Sequence, residues 1–103
     1  MSRQFDVHRN AFADGASDPP FLVNLQSDHL EPIRTVVVAP LWPESDHARP
    51  PVFVPIRFSR GEYWLAINEL AYIRTSSLGA VAGTLAAQRD RIIRALDLLF
   101  TGV

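Results

Sequence analysis

With 103 residues, 48% of them hydrophobic, 20% charged and a net charge of -1, the chain has the makings of one globular domain, 1–103, with a modest core. All ten basic residues are Arg and none lies in a basic run, which argues against direct nucleic-acid binding. The absence of cysteine excludes disulfides, thiolate metal sites and a Cys nucleophile, and fits a reducing compartment.

The opening MSRQFDVHRN lacks the apolar core of a signal peptide. Gln4–Arg9 alternates, with Phe5 and Val7 on one face and Asp6 and His8 on the other, which predicts a half-buried strand. Asn10–Pro20 is turn-rich and reads as a loop. Phe21–Gln26 is a second strand, Phe21, Val23 and Leu25 facing one way and Leu22, Asn24 and Gln26 the other. Ser27–Pro32 breaks it. Arg34–Ala39 is a β-branched run suited to a central strand buried on both faces.

Pro40–Pro51 holds half of the eight prolines and is predicted to be a loop, with Trp42 tucked back against the sheet. The longest apolar run, Val36–Trp42, contains Pro40 and is too short to span a bilayer, so the expectation is a soluble, cytoplasmic protein. Val52–Phe58 and Tyr63–Ile67 flank Ser59-Arg60-Gly61-Glu62, a β-hairpin pattern, and Pro55 marks an edge or a bulge. Leu70–Arg74 reads as one more short strand or a turn of helix. Thr75–Gly83 is a small, flexible connection.

From Leu85 onward the period changes. Leu85, Ile92, Ala95, Leu96, Leu99 and Phe100 share one arc with Ile93 at its edge, opposite Asp90, Arg91, Arg94 and Asp97, as in an amphipathic helix over about 85–100. Thr84 is the expected N-cap, Gly102 the left-handed C-cap, and Asp90 is spaced to pair with Arg94. Two residues break the pattern: Arg89 falls among apolar positions and Leu98 falls on the polar side, which fits an ordinary packed terminus or, alternatively, a docking end. About five strands followed by one helix, with no βαβ pattern, predict a mainly antiparallel sheet, α+β or a small barrel.

Catalytic constellations are absent. His8, His29 and His47 share no ligand spacing, so no metal site is expected. Ser27-Asp28-His29 suits a Ser- or Asx-type turn, since triads converge in space rather than in sequence. Asp28 and Glu31 belong to the same solvated turn. Gly79 and Gly83 lack the Lys of a phosphate loop. Trp42, Trp64 and Tyr63 read as sheet packing rather than a stacking platform. The residues describe a binding module without a cofactor more than an enzyme.

Gln4-Phe5, FLVNLQSD at 21–28, VVVAPL at 36–41, Pro51-Val52, Trp64, Leu78-Gly79 and the ending ALDLLFTGV together resemble the CcdB family of toxin–antitoxin toxins. The likeness runs in order over essentially the whole chain and is poorest at 43–50. It implies an SH3-like small barrel of the CcdB/MazF type with a C-terminal helix, and a homodimer whose tails lie side by side at the two-fold axis. It further implies poisoning of DNA gyrase through its GyrA subunit, and neutralisation by a disordered, acidic antitoxin. The family's gyrase-contacting positions carry over in part. Phe100 and Gly102 match and Val103 replaces isoleucine; Thr101 stands for the family's Trp, His29 and Leu30 for two isoleucines, and Asp97 for Asn. Thr buries far less than the rigid Trp anchor it replaces. Two alternatives remain. One is a homologue of the same fold with a changed target or no toxicity. The other is a ribonuclease toxin of the MazF/Kid type, for which Arg57, Arg74, Thr75 and His8 are available but not singled out by spacing.

Overall fold

The computed structural model describes residues 2–30, 33–45 and 49–102. The alternating segments form β1 (Asp6–Arg9), β2 (Phe21–Asn24), β3 (Thr35–Pro43), β4 (Phe53–Phe58), β5 (Gly61–Ala66) and β6 (Ala71–Arg74). A seventh strand, β7 (Val81–Thr84), lies where the sequence suggests a flexible connection. All pairings are antiparallel, in the order β4-β5-β3-β2-β1-β7, with β6 also on β3. The sheet therefore has seven strands rather than about five. It curls into a half-barrel, and Phe58 of β4 reaches Gly83 of β7 so closely that a Cβ there would lie 2.7 Å from its ring.

β3 is the central strand that its β-branched run predicts, but it continues through Pro40 to Pro43 instead of ending at Ala39. Pro40 is tolerated there for a geometric reason. The Val37 carbonyl accepts from Leu25 N–H (2.9 Å), so odd positions of β3 bond toward β2 and Pro40 faces the other edge. There the partner of β3 changes from β6 to β5 across a 3-10 turn at Ile67–Glu69, and no donor is required from Pro40. Trp42 is consequently part of the sheet, paired with Trp64.

The hairpin turn is made by Ser59 and Arg60, both with positive φ (48° and 67°), as a two-residue turn between right-twisted strands requires. The core fills by period two from Val7, Val23, Ala39, Leu41, Ile56 and Leu65, and Leu85 and Ile92 close it from the C-terminal segment.

That segment begins later as an α-helix than its apolar arc suggests. Thr84 Oγ1 accepts from Ala86 N–H (3.2 Å), but Thr84 is not the helix N-cap: a 3-10 turn, Ala86–Gln88, comes first, and the helix proper, α1, spans Arg89–Thr101 with Gln88 at its N-cap. Ile92 is fully buried, while Ile93, Ala95, Leu96 and Leu99 pack partly against the core. Phe100, expected on the same arc, is 69% exposed. Eight residues after Ile92, it points about 80° away from the buried direction, and it sits in the last turn. Asp90 pairs with Arg89 (3.7 Å) rather than with Arg94. Pro55 does mark an edge: β4 ends the sheet, and its outward carbonyls are covered by the helix start. Arg91 Nη2 donates to Pro55 O (2.7 Å) and Gln88 Nε2 to Arg57 O (3.3 Å).

Candidate functional site

The end of α1 is closed by its own atoms. Gly102 adopts the left-handed conformation (φ 77°), and its N–H donates to Leu98 O (3.1 Å). Thr101 Oγ1 donates to Asp97 O (2.7 Å). These two carbonyls are thus satisfied within the helix itself. Asp97, Leu98, Phe100, Thr101 and Gly102 are all exposed, two of them large apolar side chains. Val103, the seventh member of the expected contact set along with His29 and Leu30, lies outside the described residues, as do Glu31 and His47.

His29 and Leu30 stand in a separate turn after β2. His29 N–H donates to Ser27 Oγ (3.1 Å) and Leu30 N–H to Ser27 O (3.3 Å), which is the Ser-type turn that the sequence predicts. Asp28 Oδ1 accepts from Gln4 N–H (2.8 Å) and ties the turn to the start of the chain. Both His29 and Leu30 are exposed, and Leu30 forms one wall of a cleft of about 240 Å³ with Ser27, Ile33, Thr75 and Leu78. Among the described residues no hydrogen bond or ion pair joins this turn to the end of α1.

Three of the four residues that an RNA-cleaving site would draw on, His8, Thr75 and Arg57, make bonds between chain segments. His8 is buried; its Nδ1–H donates to Gly79 O (2.8 Å), which leaves Nε2 to accept from Ser2 Oγ–H (2.8 Å). Asn24 Nδ2 in turn donates to Ser2 Oγ (2.8 Å), so this buried polar chain is complete. Gly79 is required here, because a Cβ would run into the Arg9 carbonyl. Thr75 Oγ1 donates to Ile33 O (3.0 Å), and Arg57 pairs with Glu62 (3.1 Å). Arg74 is exposed. Among the described residues no group of three or more His, Cys, Asp or Glu could hold a metal ion, and no helix is long and apolar enough to cross a membrane.

One surface does not follow from the sequence reading. Leu22, Val38, Pro40 and Trp42 occupy the face of β2 and β3 opposite the core, and they floor an open groove. Trp42 is fixed there by its indole N–H, which donates to Glu69 Oε1 (3.0 Å). The signal for it is the apolar character of both alternating sets in β2 and β3. Reading Pro40 as the start of a loop hides how far it extends.

A curled antiparallel sheet closed by a C-terminal helix is the CcdB/MazF-like fold. The structure is similar to an endoribonuclease in complex with its cognate antitoxin from Mycobacterial species, with a TM-score of 0.68 over 94% of this chain and 92% of that one. At 14% identity the likeness is one of fold. No curated protein sequence matches the chain. The chain belongs to the CcdB family: the family model, CcdB protein, matches residues 4–102. It is thus a CcdB-family toxin of a toxin–antitoxin system, and a cognate antitoxin is the partner this membership implies.

Proposed function

We propose that this toxin acts by binding the GyrA subunit of DNA gyrase rather than by catalysis, and that it does so as a homodimer. The contact surface is the last turn of α1 together with the turn after β2. The observation that carries this reading is the helix end, where Phe100 is 69% exposed beside an exposed Leu98 on a turn closed by a left-handed Gly102. A large apolar side chain held outward on a rigid helix is the type of anchor that dominates interfaces. In a dimer, two tails brought together at the symmetry axis would double that surface. Thr101 in place of the family's Trp and Asp97 in place of Asn make the patch more polar, so binding to a standard GyrA fragment is expected to be weak.

Titration calorimetry with a GyrA dimer fragment tests the proposal. Thr101→Trp should tighten binding by at least about tenfold, the scale of one interface anchor, and deletion of residues 101–103 should abolish it. If the Trp variant gains nothing and the deletion leaves binding unchanged, the tail is not the contact surface. RNA cleavage by the purified toxin without gyrase would replace this reading with the ribonuclease one. The engagement of His8, Thr75 and Arg57 in strand-holding bonds favours binding over cleavage.

A further inference from the structure

The groove on the outer face of the sheet, away from the tail and from the turn after β2, has a volume of about 380 Å³. Leu22, Val38 and Pro40 form its floor, and Phe12 and Trp42 stand beside it, Phe12 with 59% of its surface in solvent. Its charged lining residues are Asp18 and Glu69, with no Arg or His among them. Asp18 Oδ2 accepts from Asp14 N–H (2.7 Å) and Glu69 Oε1 from the Trp42 indole, which fixes each carboxylate. Neither forms an ion pair with another described residue. The groove floor also reaches Ala71 and Ile73 of β6. Among the described residues β6 pairs only with β3. Since Thr75 N–H donates to Arg34 O (2.7 Å), odd positions of β6 bond inward and the N–H and C=O of Tyr72 face away, with no backbone partner among the described residues.

We propose that this groove binds an extended, apolar peptide segment of a protein partner that carries a central Arg or Lys. An apolar floor with aromatic flanks holds the aliphatic stem of such a side chain, and the rings face its cation. Two fixed carboxylates without counter-charge complete the complementarity, which disfavours an acidic segment. The unpaired edge of β6 at the margin of the groove supplies main-chain hydrogen bonds to an extended strand. This inference goes beyond the gyrase reading and uses none of its residues.

The test uses a labelled nine-residue peptide of alternating Val and Thr around a central Arg, and its twin with Glu in that place. Anisotropy titrations should show the Arg peptide binding the wild type at least tenfold more tightly. Asp18→Asn with Glu69→Gln, which keep both internal hydrogen bonds, should remove that preference. Amide shifts on adding the Arg peptide should fall at Phe12, Trp42 and Ile73. Equal binding of the two peptides, a preference that survives in the double variant, or shifts confined elsewhere would overturn the proposal. So would a wild-type dimer that dissociates in the double variant, since that assigns the groove to a second copy.

Discussion

The first and last turns of α1 have the same backbone and opposite allegiances. The first turn gives Ile92 wholly to the core and lends Arg91, with Gln88 just before it, to the open edge of β4. The last turn gives Leu98 and Phe100 to solvent and closes its carbonyls with Thr101 and Gly102. One end is anchored by a fully buried side chain and the β4 edge, while at the other only Leu99 packs partly against the core and the exposed side chains are held by the helix alone. The difference separates what the fold needs from what is free to meet a partner. A side chain that contributes nothing to the monomer's core can change with the target at no cost to folding. The family's Trp, replaced here by Thr101, lies at just such a position.

The contrast can be broken or sharpened by substitution, read from urea unfolding midpoints. The largest effect belongs to the buried end: Ile92→Ala removes a fully buried side chain and should cost about 2–5 kcal/mol. Arg91→Ala should cost about 1 kcal/mol, because it frees the Pro55 carbonyl and uncovers the β4 edge, and Arg91→Lys should recover part of it. Gly102→Ala meets nothing within 4 Å, so its cost of about 1 kcal/mol should come from the left-handed backbone alone. Phe100→Ala should shift stability least, by under about 0.5 kcal/mol. If Phe100→Ala proved as costly as Ile92→Ala, the two ends of the helix would not differ.

The strands are legible wherever one alternating set is apolar and the other polar, as in Gln4–Arg9, or where β-branched residues run together, as in Arg34–Ala39. β7 is not, because Val-Ala-Gly-Thr has almost no side-chain contrast. It is a strand because β1 offers it a partner and because Gly79 and Gly83 permit close approach to Arg9 and Phe58. Pro40 reads as a breaker because the interruption that tolerates it sits at Ile67–Glu69, distant in sequence. The onset of α1 moves because Ala86–Gln88 first makes a 3-10 turn, a choice that helix propensity does not resolve. Of the candidate site, outward Leu98 and the Gly102 cap are visible in the helical period. The other members enter only through resemblance to the CcdB family, since exposed contact residues leave no periodicity of their own. The groove at Trp42 needs the true end of β3.

The central claim is that the exposed side of the last turn of α1 serves recognition and not the fold, and Phe100→Ala tests it most directly when binding and stability are measured on the same preparation. The account predicts an unfolding midpoint within about 0.5 kcal/mol of wild type and at least a tenfold loss of affinity for the GyrA dimer fragment. Unchanged affinity for that fragment, or a loss of stability on the scale of Ile92→Ala, would contradict it.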